Sequence, residues 1–446
     1  VCRADPGENI PVWSVQGWRS YERLWNELAA RPDEPVLRRY LGLPIGSAAV
    51  DDVVIKSNRG RSAPDWLGWK SGSYRQFETP HFQIFSHADN DATREVAKDM
   101  ERVFWVWTQL FFPLWESKAQ VALHLSGATA DRSIASMLTR SRKRLTTRRK
   151  LRVVLLKDAA EYARTLGQSM PGVAQSTGFY SDERRTSFFY PSDSSDAVAT
   201  QRHELVHQLF REATRSGLAG DSPGRESDFW LVEGIAGYFE SIRFDQPRAT
   251  VGGWDSPRLQ YGRYRVFGRR EIMPLSELRP DGQGKAQRRA DLAKWYAFSI
   301  AYTHQMLDGK SLSGRRWIYD RLAKLYQINL DVPAAVLSPE SERSLVGFLR
   351  VSDRVVQSNP ASGPLSELCL SGCQVSGQGL ATIPASSSFR WIDLTNLSVS
   401  SKDVKRLVPV PSSLEQLSLE STEVDDSLAD WIAAVSYTHL RAHETR

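Results

Sequence analysis

The sequence predicts an α+β protein: a mixed sheet with helices packed on it, followed by a short stack of repeated strands. Three observations carry this expectation. From about residue 76, strand and helix patterns alternate; a hairpin pattern stands directly before the segment His203-Glu204-Leu205-Val206-His207; and near the C-terminal end leucines recur at intervals of 24 and 25 residues. At 446 residues, with 41% hydrophobic and 25% charged side chains, the chain has the composition of a multidomain globular protein. Its longest apolar run, Val103 to Trp115, is interrupted by Gln109 and is too short to span a bilayer, so no transmembrane segment is expected.

Taken in order, residues 1–75 form a lead-in rich in tryptophan (Trp13, Trp18, Trp25, Trp66, Trp69), with helical patterns near 18–31 and 34–41 and a Gly/Ser/Arg-rich stretch over 57–73. The tryptophans are expected to pack onto the next domain, since aromatics give a small segment the most apolar contact area. The domain 76–330 begins with a strand at 81–86, a helix at 91–112, strands at 120–126 and 151–156, and a helix at 159–166. Residues 178–180 and 186–190, separated by polar Ser181 to Arg185, read as a hairpin.

The next helix carries the chemistry. Val198, Leu205, Val206, Leu209 and Phe210 recur near helical spacing, and Ser194, Ser195 and Asp196 offer N-caps. Residues four apart on a helix share a face about 6 Å apart, so His203 and His207 can grip one ion while Glu204, one step round, faces the water on it. Downstream, Trp230-Leu231-Val232-Glu233-Gly234-Ile235-Ala236-Gly237-Tyr238-Phe239-Glu240 places Glu233 on a largely apolar helix, where an uncompensated carboxylate is costly. A metal would compensate it, which makes Glu233 the third ligand of a zinc hydrolase site. Helices near 291–307 and 315–326 follow, and hydrolysis needs a donor to stabilise an oxyanion; Tyr296, Tyr302 and His304 are candidates.

HELVH and WLVEGIAGYFE together resemble the gluzincins, the zinc peptidase group that includes thermolysin-like enzymes and zinc aminopeptidases. Their second motif commonly reads W-L-N-E-G-F-A; here Val232 stands at the asparagine position and Ile235 at the phenylalanine position. Glu78 to Ser86, with the helix after it, and Tyr296-Ala297-Phe298-Ser299 look like bacterial families with a peptidase MA-like domain, a likeness covering roughly residues 76–330. The resemblance implies a thermolysin-like fold and a Zn²⁺ ion held by His203, His207 and Glu233. It also implies Glu204 as general base, Tyr296 as oxyanion donor, and a peptide or protein substrate. In such enzymes the strand just upstream of the metal helix lines the cleft, which assigns Thr186, Phe188 and Tyr190 to substrate pairing; a free strand edge suits that task because its N–H and C=O groups extend a ladder.

Residues 331–363 contain prolines and serines and read as a linker with one short helix. Over 364–435 the pattern L-x-x-L-x-L-x-x-x-x-V repeats three times from Leu365, Phe389 and Leu414, matching leucine-rich repeats, which stack short strands into a solenoid and often bind protein partners. An alternative function follows: a catalytically weak metal-binding scaffold that recruits a protein through these repeats. Cys373 occupies the repeat's turn position and Cys369 points away from the leucines; with Cys2 they form no disulfide framework.

The net charge of +6 is local. Arg140, Arg142, Lys143, Arg144, Arg148, Arg149, Lys150 and Arg152 form a basic run without an acidic residue, which suits nucleic acid, an anionic membrane or an acidic protein, or is a solvated loop and helix end between two strands; the absence of interleaved aromatics argues against nucleic acid. The chain opens on Val1 with no leader pattern, so a native start further upstream is expected; a soluble protein is expected, and whether a lost signal peptide exports it stays open, as does the compartment. Residues 436–446 break the repeat and read as a non-native tail; His439 and His443 within it are excluded as ligands.

Overall fold

The computed structural model describes residues 12–47, 49, 52–147, 149–167, 176–218, 221–245, 247–309, 312–330, 337, 341–361 and 365–434. Expectations for Cys2, Arg148, most of 331–340 and the tail at 436–446 lie outside these residues. The fold is α+β, with a mixed sheet and many helices, and the chain divides into two compact units. The first holds Val1–Pro223, Ile242–Val251 and Arg316–Ala335; the second holds Gly224–Ser241, Gly252–Arg315 and Val336–Arg446.

In the first unit, α1 (Val12–Ala30) and α2 (Pro35–Leu41) precede a six-stranded sheet. Its strands are β1 (Lys56–Arg59), β2 (Arg75–Glu78), β3 (Phe82–Ser86), β4 (Leu151–Leu155), β5 (Gly178–Ser181) and β6 (Thr186–Phe189), in the order β1-β2-β3-β4-β6-β5. β3, β4 and β6 run parallel at the centre; β1, β2 and β5 are antiparallel to their neighbours at the flanks. Between the strands run α3 (Asn90–Leu110), α4 (Lys118–His124), α5 (Ile134–Leu138) and α6 (Ala159–Gly167), and after them α7 (Ser195–Glu212).

The central strands are apolar on both faces because both are covered. Phe85, Val154 and Phe188 pack with Tyr162 and Leu166 of α6 on one face. On the other, Ser86 meets Thr93 of α3 and Ser187 meets Gln208 of α7, each through a buried hydrogen bond. Trp18 and Trp25 of the lead-in are buried, Trp18 stacked near Phe112 and Trp25 tilted against Trp105, so both pack onto the following domain. The Gly/Ser/Arg stretch contributes β1, which its composition did not announce.

Two expectations are corrected here. Residues 120–126 are not a strand: α4 covers 120–124 and ends on a turn, because Val121 and Leu125, four apart, are both buried while Leu123 between them is 69% exposed. Alternating apolar residues fit either period, and the core selected the helical one. Nor is Thr186 to Phe189 a free edge. β6 is paired with β4 on one side and β5 on the other, and Thr186, Ser187, Phe188 and Phe189 are all fully buried, so the edge on that side belongs to β5.

In the second unit, α8 (Phe229–Phe239) packs along the Leu292–Asp308 helix, which also contacts α9 (Pro257–Arg263). The expected single helix before the repeats is two, Ser341–Leu349 and Asp353–Ser358, with Leu345, Leu349 and Val356 fully buried. The three repeats form β9 (Glu367–Cys369), β10 (Trp391–Asp393) and β11 (Gln416–Ser418), parallel and in register through Leu368, Ile392 and Leu417. The recurring leucines fill one core with Val375, Val399 and Phe389. The opposite strand face is not free at β9 and β10. Cys369 and Asp393 are buried there, Gln260 of α9 accepts the Cys369 N–H at 2.8 Å, and Tyr264 stands edge-on to Trp391.

Candidate metal centre

α7 presents His203 and His207 one turn apart, with ring centroids 4.9 Å from each other and both side chains half-buried. Ser194 takes the N-cap position, but its side chain makes no capping hydrogen bond. The helix is instead fixed along its length by buried polar contacts. Gln208 accepts from Ser187 Oγ at 2.9 Å and donates to the Arg152 carbonyl at 2.9 Å, which pins α7 to β6 and β4. Arg202 makes a two-pronged ion pair with Asp99 of α3, at 2.7 and 2.9 Å, and donates to the Ile242 carbonyl. Arg211 pairs with Asp182 at 2.8 Å.

β5 reaches the same helix. Tyr180 donates its backbone N–H to Glu204 Oε2 at 2.9 Å and its hydroxyl to Glu212 Oε1 at 3.1 Å. The first contact holds the Glu204 carboxylate in one orientation; the second sits deeper, where burial pushes the Glu212 carboxyl above its ordinary range against the lowering effect of the Gln208 and Tyr180 hydrogen bonds. Arg202, Gln208 and the Tyr180 amide escaped the sequence reading. Only the polar positions on an otherwise apolar helix face hinted at them.

In the second unit α8 begins at Asp228, whose φ of 55° is left-handed, a region that aspartate tolerates. Its N–H donates to the Arg279 carbonyl at 2.8 Å, and its carboxylate accepts from Trp230 Nε1 at 3.1 Å, so the strained residue is held from both ends. The glycines of the second motif are explained by packing. A Cβ on Gly234 would overlap Thr303 Oγ1 and fall 2.7 Å from the Ser299 carbonyl oxygen, and one on Gly237 would strike the end of Ile300. Glu233, between these close approaches, is buried at 7% exposure.

His203, His207 and Glu233 each offer one donor atom, and these atoms all lie within 4.8 Å of one another. Two imidazole nitrogens and one carboxylate suit zinc in a three-ligand site with an open position, and among the described residues no cysteine enters the set: Cys369 and Cys373 are buried, free thiols in the repeats. Cys373 accepts from the Val351 N–H, a structural contact. Of the oxyanion candidates, Tyr302 is fully buried and donates to the Met273 carbonyl at 3.3 Å, and His304 is fully buried beside Asp308 at 3.2 Å; both are packing residues. Tyr296 is half-buried, its ring edge-on to Trp295. Compared with protein-family models and with curated proteins, the chain matches none.

Proposed function

We propose that this chain is a zinc-dependent peptidase of gluzincin type, with His203, His207 and Glu233 as metal ligands and Glu204 as general base. The observation that carries the reading is the convergence of those three donor sets within 4.8 Å, next in sequence to a glutamate whose carboxylate is already oriented. Bound zinc would acidify a water at its open position and polarise the scissile carbonyl. Glu204 takes the proton of the attacking water and returns it to the leaving amine, with the Tyr180 N–H on one of its carboxylate oxygens at 2.9 Å. Tyr296 is the candidate donor to the developing oxyanion.

The alternative, a scaffold that recruits partners through leucine-rich repeats, has less support. At β9 and β10 the strand face that such repeats commonly offer is buried at Cys369 and Asp393, with Gln260 of α9 on the Cys369 N–H and Tyr264, just after α9, edge-on to Trp391. The test is a peptide digest with wild type and Glu204→Gln, both assayed for zinc. Equal zinc content, with chelator-sensitive cleavage by the wild type alone and a loss of about a thousandfold or more in the variant, is expected. Indistinguishable rates in the two proteins would sink the enzyme reading.

A further inference from the structure

The basic run is a surface, not a loose tail. Residues 141–147 carry no regular secondary structure, yet their backbone is anchored at several points. Leu145 donates its N–H to the Tyr40 carbonyl at 2.8 Å, and Arg39 reaches the Ser141 carbonyl at 3.3 Å. Gln120 of α4 clamps Thr146 through both ends of its amide, and Thr147 donates to the Pro80 carbonyl. The backbone thus takes its partners from α2, α4 and the turn before β3, and the cationic heads are left outside.

Those heads are exposed at Arg140, Arg142, Lys143, Arg144 and Arg149. Among the described residues none of these five makes an ion pair, whereas the neighbouring Lys150 is neutralised by Glu78 at 2.8 Å. The sequence offers no local counter-charge, since no aspartate or glutamate occurs between Arg132 and Lys157. On α4, between the clamping Gln120 and His124, Leu123 stands 69% exposed. Leu123 stands one turn after Gln120, whose amide clamps Thr146, so it lies on the side of α4 that borders the cationic loop.

A lone exposed leucine is ordinary on a protein surface. An ordered array of unpaired cations around one is the arrangement that recognises an anionic bilayer: the cations seek lipid phosphates, and the aliphatic side chain enters the interface. We propose that Arg140, Arg142, Lys143, Arg144 and Arg149, with Leu123, form a docking surface for an anionic lipid membrane. Nucleic acid fits less well, because neither the loop nor α4 offers an exposed aromatic on which bases would stack, and the loop presents no helix to enter a groove. The surface is independent of the metal site and stands or falls apart from it.

The test is cosedimentation of the full chain with vesicles of phosphatidylcholine, with and without phosphatidylglycerol. Binding only to the anionic vesicles, weakening steeply with salt, is expected. The triple variant Arg142→Glu, Lys143→Glu, Arg144→Glu should bind about a hundredfold more weakly or worse, at roughly fivefold per cation removed. Leu123→Asp should weaken binding while leaving its salt dependence in place. Should charge reversal shift the melting temperature, the glutamine triple at the same positions replaces it. Equal binding to neutral vesicles, an unaffected triple variant, or retention of duplex DNA without vesicle binding would each overturn the proposal.

Discussion

The two motif helices are held by different physics. α7, in the first unit, is fixed by side-chain hydrogen bonds and ion pairs that reach it from three directions: Gln208 to β4 and β6, Arg202 to Asp99, and Arg211 to Asp182. α8, in the second unit, is fixed by contact, with Gly234 and Gly237 letting it lie against the Leu292–Asp308 helix closer than any side chain would permit. A polar anchorage gives one defined rotation about the helix axis, which two ligands one turn apart require. A glycine seam gives a fixed separation, which suits a single carboxylate that must stay buried. Each helix carries what its support can position.

The largest test of this contrast concerns the second unit as a whole. Arg263 is fully buried and donates to the carbonyls of Leu349 and Trp254, and Trp254 Nε1 donates to the Asn359 carbonyl at 2.7 Å. A chain ended after residue 335 loses Leu349, Asn359 and the repeat core, so its second unit is expected to lose its cooperative melting transition, and zinc with it, by calorimetry and metal analysis. A shortened chain that melts cooperatively and keeps its zinc would show that the repeats are dispensable to α8.

Next in size is the seam itself. Gly234→Ala should cost about 3 kcal/mol or more in urea unfolding, because backbone at Ser299 cannot move aside. Gly237→Ala should cost about 1 kcal/mol, since only the end of Ile300 has to turn away. Reversal of that order would mean that the seam is not what fixes α8.

On the polar side, Gln208→Leu keeps the volume but strands the Ser187 hydroxyl and the Arg152 carbonyl, both buried contacts of α7. A loss of about 1–3 kcal/mol is expected, together with weaker zinc retention than any change in overall fold explains. Unchanged stability and zinc would leave Arg202 and Arg211 as the polar anchors of α7.

The smallest effect is expected in the repeats. Ser400 and Asp403 form a capping box at the helix Ser401–Leu407. Burial acts to raise the Asp403 carboxyl, but the hydrogen bonds from Ser400 outweigh it and hold the pKa below the usual range. A depressed native pKa means that this stabilisation is full above the ordinary aspartate range near pH 4 and is lost as pH falls through the lower native value. Asp403→Ala should therefore cost about 1 kcal/mol at neutral pH and flatten the acid limb of a stability profile. A variant that keeps the wild-type acid limb would assign that limb to other carboxylates.

Much of the fold was legible in the residues. The α+β class, the β5–β6 hairpin before α7, the three parallel strands at the leucine spacing, and the shared face of His203 and His207 follow from periodicities of 2, 3.6 and about 24, while Glu233, which lies close to both histidines, was marked by a carboxylate on an apolar helix. What misled was local degeneracy. Val121, Leu123 and Leu125 satisfy strand and helix alike until a core exists to leave Leu123 outside, and a hairpin pattern says which strands pair without saying which of them will find a second neighbour.

By itself, then, the chain determined identities and spacings: which side chains could bind a metal, which residue could serve as base, where strands repeat. Only the tertiary structure decided pairing partners and exposure. It put β6 inside the sheet and β5 at its edge, gave Glu204 the Tyr180 amide as partner, and set α9 against the first strand of the repeats. The physical reason is that spacing is encoded by backbone geometry within one element, whereas burial and pairing depend on segments far apart in sequence, such as Gln260 and Cys369, whose meeting no local pattern records.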